Sequence, residues 1–253
     1  MSSQHAIAVV TGSGSGIGRQ TAVLFGKRGL HVVCPGRTAA SLAETAALIE
    51  AAGGTSRVVV ADCGSEAGRT ALVDAVAELP ASAFVHAAGA DRIKPFAATT
   101  RDDFDALVAI NLAAPFFLVQ ALLPRFVDGA GVVFVGSVAA QRGMMRHAAY
   151  GATKAALAGL TVNLAAELGP RIRVNCVSPG ATDTAMLTDF IARSRDGLSE
   201  KAAQRQQVAT ASRNLLRRLA APVEVAATIV HLALDATAVT GVDLPVDLGY
   251  TAS

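Results

Sequence analysis

Tyr150 and Lys154 stand four residues apart in the run Tyr-Gly-Ala-Thr-Lys, at the head of a strongly helical segment. Side chains at that spacing share one helix face. A tyrosine hydroxyl ordinarily titrates near 10, too high for ready proton exchange near neutrality. An ammonium group beside it favours the phenolate and lowers that value. Such a pair could serve proton transfer. Two more polar residues enter the pattern. Ser137 follows an apolar run thirteen residues before Tyr150, and Asn111 lies inside an earlier helical stretch.

A second constellation suits phosphate. The apolar run Ala6–Val10 passes into Thr11-Gly12-Ser13-Gly14-Ser15-Gly16-Ile17-Gly18 and then into a helical pattern. Glycines let a backbone turn tightly and approach a pyrophosphate, and the helix behind them offers free N–H groups and a favourable dipole. The spacing is not G-x-G-x-x-G, because Ile17 stands where the third glycine would be. It is G-x-x-x-G-x-G, through Gly12, Gly16 and Gly18. The strand–loop–helix context is the one such a motif needs.

Around these residues, short β-rich runs alternate with helical patterns. The strands are predicted at Ala6–Val10, His31–Cys34, Ser56–Val60, Phe84–His86, Val132–Val135, Ile172–Val177 and Val242–Val246. The helices are predicted at Ile17–Arg28, Ala39–Ala52, Glu66–Leu79, Asp102–Phe126 (bent or divided at Pro115), Tyr150–Leu168 and Pro222–Leu234. Repeated β-α-β units with short loops imply an α/β fold, a doubly wound parallel sheet of about seven strands with helices on both faces. No linker or repeat divides the chain, so residues 1–253 read as one domain. The polar stretch 184–214 is the one candidate for a mobile insertion.

Composition bounds the function. The chain has 253 residues, 52% of them apolar and 17% charged, with a mean hydropathy of +0.43. That is ample for a core and too little charge for disorder. A net charge of +2 argues against a nucleic-acid binder. The longest apolar run, Leu112–Val119, falls well short of the roughly 18 residues that span a membrane. Met-Ser-Ser-Gln-His-Ala at the start carries no signal-peptide pattern. Three scattered cysteines, Cys34, Cys63 and Cys176, read as reduced thiols in a cytoplasmic protein.

Ser137, Tyr-x-x-x-Lys, Asn111 and G-x-x-x-G-x-G together resemble the short-chain dehydrogenase/reductase family, over nearly the whole chain from Ala6 to about Tyr250. Asn175-Cys-Val-Ser-Pro179-Gly180 and Thr240-Gly241…Val246-Asp247 belong to the same resemblance. It implies a single Rossmann domain with a substrate lid at 184–214. It also implies a hydride exchanged directly between nicotinamide and a ketone/secondary-alcohol pair, with no metal. In that scheme Tyr150 exchanges the proton, and Lys154 lowers its pKa and holds the nicotinamide ribose. Ser137 hydrogen-bonds the reacting oxygen, and Asn111 supports a water linking Lys154 to solvent. The implied cofactor contacts are Gly12, Ser13, Gly14, Ser15, Gly16, Ile17, Gly18, Asp62, Cys63, Ala88, Gly89, Pro179, Gly180, Thr182 and Thr184, together with Tyr150 and Lys154. Members commonly pair their long helices, which implies a homodimer or homotetramer.

Two departures stand out. His86-Ala87 replaces a pair of asparagines that usually braces the sheet, and His86 reads as a packed structural residue. Leu248 stands where the family usually has glycine.

The cofactor is legible in the second strand. An NAD site places an acid at its end, but here it ends Cys34-Pro35-Gly36-Arg37. A guanidinium at Arg37 suits a 2′-phosphate, and the missing carboxylate removes repulsion. NADP is the expected cofactor, with NAD the alternative. Residues 1–43 carry four basic side chains and no acid, and the remainder carries a net −2. Two other functions stay open. One is a 3-oxoacyl-[acyl-carrier-protein] reductase, which the lack of a basic residue in Val127–Gly131 weakens. The other is a non-catalytic nucleotide-sensing protein, which Ser137, Tyr150 and Lys154 argue against.

Overall fold

The computed structural model describes residues 6–193 and 211–252. Seven parallel strands form one sheet in the order β3-β2-β1-β4-β5-β6-β7. They are β1 (Ile7–Thr11), β2 (His31–Gly36), β3 (Thr55–Val60), β4 (Ala81–His86), β5 (Phe126–Val135), β6 (Ile172–Pro179) and β7 (Asp243–Val246). Parallel strands need crossovers, and these are helices α1 (Gly16–Lys27), α2 (Ala39–Ala51), α3 (Glu66–Val76), α4 (Arg101–Val108), α5 (Ala114–Leu122), α6 (Ala148–Leu168) and α8 (Pro222–Val230), with a further helix α7 (Ala185–Arg193) after β6.

The sheet is buried on both faces, which explains its unbroken apolar strands. Along β1, Ile7 and Val9 enter one core cluster, with Leu72, Leu118 and Leu157. Ala8 and Val10 enter the other, with Phe25, Ile49 and Ile229. The alternation is the two-residue period of a strand. Strand order reverses between β1 and β4, and a crevice opens beyond their carboxyl ends, where α/β sheets bind ligands.

The long helix expected at 102–126 is divided as Pro115 predicts, but by a wider turn. A π-turn at Ala109–Ala113 separates α4 from α5, and Pro115 sits in the first turn of α5. Proline has no N–H to donate backward, so a regular ladder cannot run through it. Judged by length and composition alone, Arg101–Arg125 is apolar enough to cross a membrane. Here its residues Leu107, Ala114, Leu118, Val119 and Leu122 are buried within the protein.

Strand β5 starts six residues earlier than its apolar run suggests. Ala130 and Gly131 pair with Ile172 and Arg173 of β6 although they add no apolar signal. The last helix is shorter than expected, giving way at His231–Asp235 to a second π-turn. The buried guanidinium of Arg173 donates to the carbonyls of Leu232, Ala233 and Ala236, satisfying backbone acceptors that a helix end leaves open. Leu248 adopts φ +57, the left-handed region where glycine is at ease. Its side chain packs on the second core cluster, which offsets that strain.

Candidate active site

The glycine loop follows β1 because only glycine fits there. Gly12 has φ +69, and a Cβ on it would stand 2.7 Å from the backbone nitrogen of Ala88. A Cβ on Gly18 would run into the Gly12 carbonyl. The cradle is thus built of close backbone, as a pyrophosphate site requires, and α1 begins at Gly16 behind it.

A cleft of ≈ 790 Å³ runs from this loop to the head of α6. Gly12, Gly14, Ser15, Gly16, Ile17, Gly18, Arg37, Asp62 and Cys63 line it toward one end. Ala88 and Gly89 border it after β4, and Ser137, Tyr150, Lys154, Pro179, Gly180, Thr182 and Thr184 line it on the β5–β6 side. Two expected residues are not on its wall. Ser13 is fully buried, and its hydroxyl turns inward to donate to the Pro35 carbonyl at 3.4 Å. Asn111 is fully buried as well. The thiol of Cys63 belongs to the core, and burial pushes it up to about 11.

Asn111 acts through its neighbours. Its amide oxygen accepts from the Ala90 N–H at 3.1 Å, and its nitrogen donates to the Ala90 carbonyl and to Thr153 Oγ1, each at 3.1 Å. Thr153 donates in turn to the Tyr150 carbonyl at 2.8 Å. The amide therefore clamps the segment after β4 to the helix that carries Tyr150 and Lys154.

The electrostatics differ from the expectation in one respect. Tyr150 is not pulled below its ordinary range. Burial pushes the phenol up to about 12; a hydrogen bond from Ser137 works against this, and the Asp91 carboxylate adds to it. Lys154 Nζ lies 5.8 Å from the Tyr150 ring centroid and donates to the Val135 carbonyl at 2.8 Å. Burial holds this lysine down to about 8. Desolvation is the largest influence on the phenol, ahead of the Ser137 hydrogen bond. Such a phenol holds its proton throughout the neutral range but is a weaker acid than a free tyrosine. Giving that proton to a carbonyl oxygen relies on the Ser137 hydrogen bond and a nearby positive charge to favour the phenolate.

After β2, Arg37 is exposed on the cleft, with Thr38 and Ser41 beside it. The nearby Arg19 is committed elsewhere, to the carbonyls of Gly14 and Ser41, to Thr45 and to Glu44. A Cβ on Gly36 would meet Leu42 Cδ2 at 3.0 Å, so an acid at this position would displace that leucine.

Several lining residues carry no signal in the sequence. Asp91, Met144, His147 and Tyr250 come from three separate segments that only the fold assembles, while Arg213 and Asn214 belong to the end of the expected lid. The His147 ring packs edge-on against that of Tyr150, with centroids 6.0 Å apart. Among the described residues, no group of three His, Cys, Asp or Glu side chains could hold a metal.

His86, at the end of β4, is fully buried. Burial drives its imidazole down to about 3, and the Lys154 charge adds a little. The unfolded chain binds a proton near 6.5 and the folded chain does not, so stability is full above that value and falls as pH drops from about 6.5 toward 3. The loss from this residue is at most about 1.4 kcal/mol per pH unit. Chemical denaturation at pH 7 and pH 5 checks it, and replacing His86 with a residue that cannot titrate should flatten the difference. An equal loss in such a variant would contradict it.

The family described as Enoyl-(Acyl carrier protein) reductase matches residues 12–251. A D-threitol dehydrogenase from Mycolicibacterium smegmatis is 34% identical over 251 residues, covering 97% of this chain and 92% of the relative. The chain belongs to the short-chain dehydrogenase/reductase family. Solved structures of short-chain dehydrogenases/reductases superpose on it closely. One from Brucella melitensis, titled a glucose/ribitol dehydrogenase, has a TM-score of 0.87 and 31% identity over 99% of both chains. The angucycline C-6 ketoreductase LanV with bound NADP has a TM-score of 0.88 and 28% identity, over 98% of this chain and 96% of that one. This short-chain dehydrogenase/reductase is accordingly an oxidoreductase of alcohol and ketone groups.

Proposed function

We propose that the protein is an NADP-preferring reductase of ketones that carry further hydroxyl groups, working reversibly on the matching secondary alcohols. The observation that carries this reading is the meeting of a protonated Tyr150 with Ser137 and Lys154 at one end of a cleft whose other end presents Arg37. Nicotinamide, when bound, supplies or accepts the hydride. The chain's own residues do the rest. Gly12, Gly16 and Gly18 cradle the pyrophosphate, and Arg37 meets the 2′-phosphate. Ser137 orients the carbonyl oxygen, and the Tyr150 hydroxyl gives it a proton. The Lys154 ammonium favours the phenolate that remains.

The hydroxylated substrate class draws support from the printed activities of the threitol and glucose/ribitol relatives. The test compares kcat/KM with NADPH for ketoses, for plain ketones of equal length and for a 3-oxoacyl thioester on carrier protein. Ketoses are expected to lead, and a lead for the carrier thioester would favour the acyl-carrier reading instead. Against that second reading, Arg125 is already engaged by Glu78 at 2.6 Å, and Val127–Gly131 is internal to β5.

We further propose a cytoplasmic homo-oligomer. Phe104 on α4, Phe116 and Phe117 on α5 and Val162 on α6 are large apolar side chains left exposed. A second copy would cover them. Light scattering is expected to give a dimer or tetramer, and a monomer at working concentrations would refute it.

A further inference from the structure

The π-turn creates a problem that the helix cannot solve itself. The Ala114 N–H donates to the carbonyl of Ala109, one residue further back than in an α-helix. The Ile110 carbonyl therefore loses its α-helical donor, and its π-helical donor would be residue 115, which is proline. A buried carbonyl without a donor is costly, so one must come from outside the helix. It comes from His86 Nε2, at 2.9 Å. Because Nε2 donates there, the neutral ring must accept at Nδ1, and Thr11 Oγ1 lies 3.0 Å from that atom. The same Thr11 oxygen accepts the Ala88 N–H at 3.1 Å.

We infer that His86 is a positioning residue for the proton-transfer centre, holding the Ile110–Asn111 turn in register with the cofactor loop through its Nε2–H. The connections close into a circuit. Thr11, at the start of the glycine loop, reaches His86, and His86 reaches Ile110. Asn111, the next residue, grips Ala90 and Thr153, and Thr153 holds the Tyr150 carbonyl. Gly89 sits inside the circuit, where a Cβ would lie 3.2 Å from Asn111 Oδ1 and 3.5 Å from Lys154 Nζ. A shift of the turn would therefore be felt at both Asn111 and Lys154. The fully buried imidazole suits this task, since in its neutral form it donates on one side and accepts on the other. The inference rests on the reading of Tyr150 and Lys154 as the proton-transfer pair.

Two substitutions of similar length separate the donor from the bulk. His86→Gln keeps an N–H facing the Ile110 carbonyl, and His86→Met does not. His86→Met is expected to lower kcat by about 10–100-fold, the scale of a small misplacement of catalytic groups, with Kd for NADPH nearly unchanged. His86→Gln is expected to recover most of that loss. Pro115→Ala restores an N–H at the position that would serve Ile110 within the turn. In that background His86→Met should cost much less, a non-additivity that simple core packing would not produce. An H86M chain that unfolds, but folds once P115A is added, supports the inference equally. Backbone hydrogen exchange at residues 109–114 provides a readout independent of turnover and should quicken in H86M but not in H86Q. Equal behaviour of the Gln and Met variants, an H86M effect that P115A leaves untouched, or unchanged exchange in the turn would overturn the inference. A wild-type enzyme that binds NADPH but reduces no carbonyl would instead overturn the functional reading, and the exchange measurement would still decide the role of His86.

Discussion

Tyr150→Phe is expected to lower kcat for ketone reduction by about 10²–10⁴-fold, the usual contribution of a positioned general acid. The change removes one oxygen and keeps the ring that packs against His147. It leaves Lys154 on the Val135 carbonyl, and it leaves the glycine cradle intact. Kd for NADPH, measured by fluorescence titration, should therefore stay within a few-fold of wild type, and the melting temperature should barely move. The pH profile sharpens the expectation. With the phenol pushed up to about 12, the proton to be delivered is in place throughout the neutral range. Lys154, held to about 8, is charged below that pH and neutral above it. Reduction should thus be level below about pH 8 and decline above it, as the charge that stabilises the phenolate product is lost. Near-wild-type turnover in Tyr150→Phe would exclude this residue as the acid.

Arg37→Ala is expected to lower kcat/KM for NADPH by about 10–100-fold and to leave the value for NADH nearly unchanged. The estimate is the loss of one or two charge-assisted hydrogen bonds to a phosphate, at about 1.5–3 kcal/mol in all. The selectivity follows from where the neighbouring charges go. Arg19 spends its donors on Gly14, Ser41, Thr45 and Glu44, so it is poorly placed to substitute for the lost guanidinium. Gly36→Asp is a less clean route to the same end, because its Cβ meets Leu42 at 3.0 Å. Steady-state kinetics with both cofactors decides the matter. A wild-type preference for NADH, or an Arg37→Ala enzyme that uses NADPH as before, would contradict the assignment.

Much of this was legible in the residues themselves. Unbroken apolar runs such as Ile7–Val10 mark strands buried on both faces, and proline and glycine mark the breaks between elements. The Tyr150/Lys154 spacing puts both side chains on one helix face, as the structure has it. Three things were not legible. Strand β5 extends back to Phe126 because of its neighbours, since Gly129, Ala130 and Gly131 have little strand propensity of their own. The raised phenol follows from desolvation, which depends on what the fold stacks around Tyr150 and not on the lysine four residues away. The role of His86 depends on a carbonyl 24 residues later that a proline and a π-turn leave open. Sequence spacing reports on contacts within one element, whereas these three arise between elements. The expected lid at 184–214 is seen only at its two ends. Ala185–Arg193 forms α7, and Arg213 and Asn214 reach the cleft. The segment 194–210, with Leu198, lies outside the described residues, as do the side chains of Phe190 and Ile191.

Of the four cations that precede Glu44, only Arg37 borders the cleft; Arg28 is paired with Asp235, Arg19 with Glu44, and Lys27 ends α1.

The most direct test of the account is to mix the enzyme with NADPH and each member of a panel of ketoses and simple ketones, following absorbance at the nicotinamide band. NADPH is expected to be consumed with at least one hydroxylated ketone, in equal amount to the alcohol formed. NADPH that binds tightly but is never oxidised, across the whole panel, would contradict it.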